Sequence, residues 1–224
     1  MFQLKEESNK KILVVPKQNN FFFHFFKRVI DIFAAVIGLI LFSPVYLIIV
    51  LFYLFGENKG APIFKQQRIG KNGKIFNIYK FRSMVVGAEE KLKKNEVLYQ
   101  KYIKNSYKLE PHEDPRMTKF GNFIRKTSLD ELPQFINVLK GEMSLVGPRP
   151  VVKEELNEYG YQVNAFTSVK PGITGYWQVS GRSDVGYPER VDIELYYIEH
   201  ASLYLDLKII CLTFVCVLTK KGTY

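Results

Sequence analysis

Residues 32–55, IFAAVIGLILFSPVYLIIVLFYLF, contain no charged side chain and carry Ser43 and Pro44 at their centre. At about 1.5 Å per residue, a straight helix of this length would measure roughly 36 Å, enough to cross a hydrocarbon core of about 30 Å. Proline removes one backbone hydrogen bond and disfavours helical geometry at the residue before it, so we expect a break here. The Ser43 hydroxyl could satisfy a carbonyl that the break frees. The segment is therefore one kinked spanning helix or a helix–break–helix hairpin that enters one leaflet and returns.

The residues on both sides of this segment are basic. Lys27 and Arg28 precede it, and Lys59, Lys65 and Arg68 follow it. Positive residues normally mark the cytoplasmic side of a membrane. A spanning helix would place one basic end outside, whereas a hairpin keeps both ends inside. The flanks therefore favour the re-entrant hairpin over the kinked span.

The net charge of +10 over 224 residues indicates an acidic partner, such as anionic lipid, nucleotide phosphates or nucleic acid. The basic residues flank apolar runs and do not form a polar tail, so membrane and phosphate partners are favoured over nucleic acid. The apolar C-terminal segment 202–218 contains an uncharged run too short to span a bilayer. We expect it to lie in the membrane interface or to be a core helix of a soluble domain.

The coarse pattern predicts an α+β fold. Residues 63–68 and 74–81 alternate apolar and polar side chains around GKNG at 70–73, which is typical of a β-hairpin with an Asn-Gly turn. Residues 87–108 are charged and helix-forming, as an exposed helix or an inserted loop. We divide the chain into a polar lead-in (1–23), a re-entrant membrane helix (24–58) and a cytosolic catalytic domain with an interfacial amphipathic C-terminal helix (59–224).

The adjacent carboxylates Asp130 and Glu131 are the leading candidates for chemistry. Ser128 followed three residues later by Glu131 is also a capping-box pattern, which is a purely structural interpretation. Pro133 weakens that interpretation, because it fits better as the first residue of a helix that begins after the two carboxylates. A helix N-terminus at that point favours anions, including a phosphate. Both interpretations stay open on the residues alone.

Basic residues supply candidates for phosphate binding, since arginine matches phosphate oxygens with two parallel hydrogen bonds. Each of them taken alone is more often a solvated surface charge. Arg149 stands out, because Pro148 and Pro150 hold it on a stiff turn. The candidates are Lys80, Arg82, Arg125, Arg149 and Arg182.

Five motifs occur in an order that resembles a known family. They are KRVID (27–31), KFRSM (80–84), TSLDELPQ (127–134), GPRP (147–150) and KPGITG (170–175). Over about residues 24–224 the chain resembles the bacterial sugar transferases, the monotopic polyprenyl-phosphate phosphoglycosyl transferases, in their short catalytic-core form. The segment 177–184 resembles the glucose- or galactose-1-phosphate members that prime capsule and exopolysaccharide synthesis.

The resemblance implies transfer of a hexose 1-phosphate from a UDP-sugar to undecaprenyl phosphate, with release of UMP. Asp130 would be the nucleophile that forms an aspartyl-phosphosugar intermediate, and Glu131 would hold Mg²⁺. Lys80, Arg125, Arg149 and Arg182 would neutralise developing charge.

The resemblance also assigns Ser43 and Pro44 to the break of the re-entrant helix, and Lys27 and Arg28 to lipid headgroups. It places the protein at the cytoplasmic face of a bacterial inner membrane, on an anionic phospholipid bilayer. The rival interpretation is a non-enzymatic basic protein that binds membrane surfaces. The sugar, the glycan pathway and the oligomeric state stay open, with a homo-oligomer as one option.

Overall fold

The computed structural model describes residues 21–105, 109, 113–181 and 185–219. It is an α+β fold, as predicted, in which helices surround two small two-stranded sheets. The strands are β1 (Ile63–Ile69), β2 (Ile75–Phe81), β3 (Ser144–Val146) and β4 (Gly172–Thr174). The helices are α1 (Phe21–Leu41), α2 (Ser43–Phe52), α3 (Ala88–Lys93), α4 (Glu96–Lys104), α5 (Lys119–Lys126), α6 (Gln134–Lys140), α7 (Val163–Thr167), α8 (Tyr176–Ser180), α9 (Glu189–His200) and α10 (Leu203–Thr219).

The predicted break divides the long apolar segment into α1 and α2, whose axes differ by 56°. The irregular residue is Phe42, and Pro44 lies in the first turn of α2. Pro44 has no N–H to donate to the carbonyl of Ile40, and the hydroxyl of Ser43 donates to that carbonyl at 2.8 Å. The predicted break at Ser43 and Pro44 is confirmed, together with the role of the serine hydroxyl, whereas the re-entrant course of the segment stays a prediction.

Within the described ranges, no helix by itself has both the length and the apolar character needed to cross a bilayer; the bent pair α1–α2 has them jointly. Large apolar side chains are exposed along both helices and along α10. The most exposed are Phe21, Phe22, Phe33, Ile40, Leu41 and Leu47 on the pair, and Tyr204, Leu207, Phe214 and Val215 on α10.

The predicted hairpin is confirmed as β1 paired antiparallel to β2, from Ile63 opposite Phe81 to Ile69 opposite Ile75. Asn72 and Gly73 adopt φ angles of 57° and 73° in its turn. These left-handed values are the ones that an Asn-Gly turn supplies at low cost. The inner face of β2 packs against α1 and α6 through Phe76 and Ile78, so the hairpin lies on the first helix.

The charged segment that follows forms the short helices α3 and α4, which confirms the helical alternative. Asn95 caps α4 by accepting a hydrogen bond from the Leu98 N–H at 3.1 Å. Further along the chain, Glu154–Gln162 forms a 3₁₀ segment that is followed by α7. Gly160, with φ 47° and ψ −124°, interrupts it.

Two turns that lie far apart in sequence meet backbone to backbone. The strand β3, which leads into GPRP, pairs in parallel with β4, which leads out of KPG. A Cβ at Gly172 would lie 2.1 Å from the Gly147 nitrogen, and one at Gly147 would lie 2.4 Å from the Lys170 oxygen. Both positions therefore require glycine because the two backbones are in contact.

The last helix is neither a core helix nor a free one. Ile209 of α10 is fully buried, whereas Leu207 and Phe214 are exposed. Near its start, Asp206 accepts a hydrogen bond from Lys27 of α1 at 2.6 Å. This ion pair and the hydroxyl of Tyr197, 2.7 Å from Asp206, fix α10 beside α1. One face of α10 therefore packs on the domain core and the other stays uncovered among the described residues, and the interfacial location of segment 202–218 stays a prediction.

Candidate active site

Asp130 and Glu131 lie in a single 3₁₀ turn, Leu129–Glu131, that directly precedes α6. Ser128 enters this turn with φ 58° and makes no side-chain capping bond, so the capping-box interpretation is wrong. Pro133 is the residue immediately before α6, one position from where the sequence placed it. The prediction that both carboxylates come just before a helix N-terminus is confirmed.

The turn rests on an apolar cluster that joins α2, β2 and α5. Leu129 and Leu132 pack against Tyr53, Phe81 and Ile124, and this packing fixes the residues on either side of the carboxylates. Asp130 is only 6% exposed. Within the described part of the chain, its carboxylate accepts no side-chain or backbone hydrogen bond. A buried carboxylate is thus held in place by its neighbours and not by bonds to its own oxygens.

Lys80, at the end of β2, pairs with Glu131. The Lys80 Nζ lies 2.7 Å from the Glu131 Oε1. Burial opposes ionisation of Glu131, but the charges of Lys80 and Arg149 outweigh it and hold the pKa of Glu131 below its usual value. Hydrogen bonds from Lys80 and Gln134 act in the same direction. Glu131 is therefore a carboxylate at neutral pH.

Asp130 has the opposite tendency. Burial raises the pKa of Asp130 above its usual value, against the charge of Lys80, and the adjacent charge of Glu131 raises it further. The charges of Arg125 and Arg149 oppose this rise. Two neighbouring carboxyls with pKa values displaced in opposite directions are typical of sites where one group reacts and the other supports it.

Arg125 and Arg149 approach the pair from different elements. Arg125 is in the last turn of α5 and is exposed; its Nη1 contacts the Met117 sulfur at 3.6 Å. Arg149 is on the GPRP turn, with its guanidinium 5.9 Å from the centroid of the Trp177 ring. The structure thus brings together four predicted residues, Lys80, Asp130, Glu131 and Arg149, with Arg125 at the edge.

Arg82 is placed differently from the other candidates. Its guanidinium donates to the backbone carbonyls of Asn58, Ala61 and Met84 at 2.5, 2.9 and 3.0 Å. It also lies over the ring of Tyr53, at 5.3 Å. These bonds fasten the chain after α2 to the end of β2, so the geometry favours a structural role for Arg82 over phosphate binding. Arg182 lies outside the described residues.

The cations expected at lipid headgroups contact protein groups. Lys27 donates to Asp206 and also to the Val146 carbonyl, at 2.9 Å. Arg28 donates to the carbonyls of Val138 and Leu139, at 2.6 and 3.0 Å, in the last turn of α6. There the guanidinium satisfies carbonyls that have no partner within the helix. The headgroup role of both residues stays a prediction.

Sequence reasoning missed a buried ionic network behind the GPRP turn. Arg190 and Glu194, four residues apart on α9, pair at 3.3 Å, and Glu155 pairs with Arg190 and with Arg68 at 3.4 Å each. The i,i+4 spacing of Arg190 and Glu194 was the available signal, but such pairs usually lie on exposed helix faces. Here the side chains of Arg190 and Glu194 are 5% and 1% exposed.

The carboxylates of this site provide enough ligands for Mg²⁺ only when the phosphates of a substrate bind the same ion. Among the described residues no group of three or more His, Cys, Asp or Glu side chains could hold a metal. Mg²⁺ is commonly bound through one or two carboxylates together with substrate phosphates and water. The ionised Glu131, beside Asp130, meets that requirement, so the site fits a magnesium ion that arrives with a diphosphate.

Comparison with known proteins gives consistent matches. Residues 22–220 match the family model described as bacterial sugar transferase. The chain is 46% identical over 203 residues to an undecaprenyl-phosphate galactose phosphotransferase of Salmonella typhimurium, covering 89% of this chain and 42% of that protein. It is 41% identical over 202 residues to the exopolysaccharide production protein ExoY of Rhizobium meliloti, covering 88% of each.

A third relative is the UDP-glucose:undecaprenyl-phosphate glucose-1-phosphate transferase of Escherichia coli, 40% identical over 206 residues, with 88% of this chain and 41% of that protein covered. The chain thus spans less than half the length of the Salmonella and Escherichia relatives and most of the length of the Rhizobium one.

Proposed function

Because this chain belongs to the bacterial sugar transferase family, we propose that it transfers a hexose 1-phosphate from a UDP-sugar to undecaprenyl phosphate, as the first membrane step of capsule or exopolysaccharide synthesis. The observation that carries the proposal is the pair of carboxylates at the start of α6. Asp130 is buried and accepts no hydrogen bond from the residues that the structure describes, and Glu131 is held ionised by Lys80. The names of the Salmonella and Escherichia relatives describe reactions of this kind.

In the first step, a carboxylate oxygen of Asp130 attacks the phosphorus that bears the sugar. A P–O bond forms, the P–O bond to UMP breaks, and UMP leaves with the electron pair. In the second step, an oxygen of undecaprenyl phosphate attacks the same phosphorus and displaces the Asp130 carboxylate. The product is undecaprenyl diphosphate sugar, and Asp130 is regenerated.

The surrounding cations orient the donor and offset charge during both steps. Arg149 donates no side-chain hydrogen bond to the described residues, so its planar fork is available for phosphate oxygens. Lys80 holds Glu131 in place, and Arg125 faces the pair from α5. When bound, Mg²⁺ would be held by Glu131 and would neutralise charge on the diphosphate. Positioning and electrostatics of this kind supply most of the catalysis in phosphoryl transfer.

The acceptor requires the reaction to occur at a membrane surface, and the exposed apolar faces of α1, α2 and α10 support that location. In the proposed arrangement residues 24–58 form a re-entrant hairpin, and residues 59–224 form the catalytic domain on the cytoplasmic face of the inner membrane. Lys27 and Arg28, at the hairpin entrance, would lie at the level of anionic headgroups. The helix α1 begins at Phe21, three residues before the predicted boundary, so the polar lead-in that would precede the hairpin is residues 1–20.

A donor panel tests the proposal directly. Purified protein in detergent or nanodiscs is given undecaprenyl phosphate and each of several UDP-sugars, and UMP is measured. We expect sustained UMP release to require both the lipid phosphate and Mg²⁺, with at most about one equivalent of UMP released per enzyme when the lipid is left out, and with one hexose donor preferred. Vesicle binding without UMP release from any donor would overturn the enzymatic proposal in favour of a membrane-surface binding protein.

A further inference from the structure

Distant side chains form hydrogen bonds with the backbone on both sides of Arg149. Its N–H donates to the Glu194 Oε1 at 3.1 Å, and the carbonyl of the next residue, Pro150, accepts from the Arg68 Nη1 at 3.2 Å. Pro148 and Pro150 are buried and restrict the turn further. The direction in which the guanidinium leaves the turn is therefore set by side chains from α9 and β1.

Glu194 is the centre of this support. Besides the Arg149 N–H, it accepts hydrogen bonds from the Nε of Arg190, at 3.3 Å, and from the hydroxyl of Tyr159. Arg190 also lies over the ring of Trp177, at 4.5 Å, on which Arg149 is placed at 5.9 Å. The Glu194 carboxylate thus connects the backbone of the GPRP turn to α9 and, through Arg190, to the indole ring of Trp177.

Stability alone does not explain charges buried this deeply. Removing charged groups from water is costly, and well-packed apolar side chains in their place are often at least as stabilising. The hydrogen bonds that the network does form restrict the structure to one geometry, although the Arg68 Nε and the Arg190 Nη2 have no hydrogen-bond partner among the described residues. The network holds Arg149, so the functional reason for this geometry lies in what Arg149 does.

The held residue acts on the reacting carboxylates. The charge of the Arg149 guanidinium acts on both Asp130 and Glu131, so the guanidinium lies within electrostatic range of the pair. A displacement of about 1 Å in such a group can cost about a hundredfold in rate.

We propose that Glu194 is a positioning residue for phosphoryl transfer, which fixes the backbone of Arg149 so that its guanidinium faces the two carboxylates and the diphosphate of the donor. This inference rests on the proposed function. It assigns to α9 a part in the reaction, although no side chain of α9 is among the groups proposed to touch the substrate.

The test compares Glu194→Gln with Glu155→Gln. Both variants alter a carboxylate that contacts Arg190, but only Glu194 accepts a bond from the Arg149 backbone. We expect Glu194→Gln to lower kcat/KM for the UDP-sugar by about 10- to 100-fold. Glu155→Gln should change it by less than about threefold.

The KM for the UDP-sugar separates positioning from a weakened fold. Loss of folded protein lowers the apparent kcat and leaves KM unchanged, whereas a displaced Arg149 guanidinium weakens the contact with the diphosphate and raises KM. We expect the KM for the UDP-sugar to rise by about fivefold or more in Glu194→Gln, as in Arg149→Ala. In Glu155→Gln, which can act on the turn only through Arg68, KM should stay within about twofold of the wild-type value.

A double-mutant cycle completes the test. In an Arg149→Ala background, Glu194→Gln should reduce kcat/KM by less than about twofold further, because the group that it positions is already gone. If Glu194→Gln does not fold, as judged by thermal melting, Tyr159→Phe removes one bond to Glu194 and should raise the KM for the UDP-sugar by a smaller factor.

The outcomes are distinct. An active wild-type enzyme with additive effects of the two substitutions, or with an unchanged KM for the UDP-sugar in Glu194→Gln, overturns the positioning role and leaves the proposed function intact. A wild-type protein that releases no UMP from any donor overturns both.

Discussion

The Nζ of Lys80 lies 2.7 Å from the Oε1 of Glu131, which joins the end of the β-hairpin to the turn that carries both carboxylates. The side chains are 19% and 27% exposed, so water screens the pair only in part. This contact explains why two adjacent carboxyls differ: Glu131 accepts a hydrogen bond from Lys80, whereas the buried Asp130 accepts none from a side chain within the described ranges.

Asp130→Asn should reduce UMP release by at least about a thousandfold, because the nucleophile is lost. The fold should be retained with a Tm equal to or above that of the wild type, since burial disfavours the charge that the substitution removes. Activity assays and thermal melting check the two parts. Near-normal turnover would eliminate Asp130 as nucleophile, and binding to vesicles should not change.

Glu131→Gln should weaken turnover and raise the Mg²⁺ concentration needed for half-maximal activity, because an amide is a poorer ligand for a hard cation than a carboxylate. A magnesium titration of UMP release measures the effect. Glu142→Gln is the matched control, since Glu142 is also partly exposed but pairs with Lys140 at 3.6 Å. An identical titration for Glu131→Gln and the wild type would reject the ligand role.

The activity should fall as the pH is lowered through the pKa of Asp130, since the ionised carboxylate is the nucleophile. Burial raises that pKa, so the acid limb should lie above the range of an ordinary aspartate. Lys80→Met removes a charge that lowers the pKa and should move the acid limb to still higher pH. A pH series of kcat/KM tests the sign, and an unmoved or lowered limb in Lys80→Met would contradict the electrostatic account.

Pro44→Ala should restore an N–H that can donate to the Ile40 carbonyl and thus straighten the helix pair. The test starts from a background in which Cys211 and Cys216 are serine. It then adds single reporter cysteines at Phe21 and Asn58, on either side of the pair. In membranes, an impermeant thiol reagent should reach both reporters from one side when Pro44 is present and from opposite sides in the alanine variant.

The straightening explanation has a second control. Ser43→Ala removes the hydroxyl bond but leaves proline in place, so its reporters should remain on the same side. Reporters on opposite sides with Pro44 present would show a kinked span and would overturn the re-entrant proposal. Same-side labelling of Pro44→Ala would mean that something other than proline keeps the pair bent.

Gly172→Ala should destabilise the fold by about 3 kcal/mol or more, because its Cβ would lie 2.1 Å from the Gly147 nitrogen and 2.3 Å from the Thr174 oxygen. Gly186→Ala is the matched control, since a Cβ there meets nothing within 4 Å. Chemical denaturation measures both. Equal stability of the two variants would show that the turns containing Gly147 and Gly172 are not in backbone contact.

The sequence alone determined features that depend on short-range chemistry. The break at Pro44 follows from a missing N–H, and the hairpin turn follows from the tolerance of Asn72 and Gly73 for positive φ. The start of α6 just after Asp130 and Glu131 follows in the same way from Pro133. Each of these rules acts between a residue and the few that surround it in the chain, so one sequence is enough to apply it.

Only the tertiary structure decided which arginine is available for the substrate. Arg82 and Arg149 are both basic residues within recognisable motifs, but the first donates to three or more backbone carbonyls and the second is free of such bonds among the described residues. Likewise, Lys27 pairs with Asp206, 179 positions away, and Glu194 holds Arg149 across 45 positions. These assignments depend on which distant segments meet in the folded chain. Hydrogen bonds and ion pairs form over a few ångströms of space, irrespective of separation along the sequence.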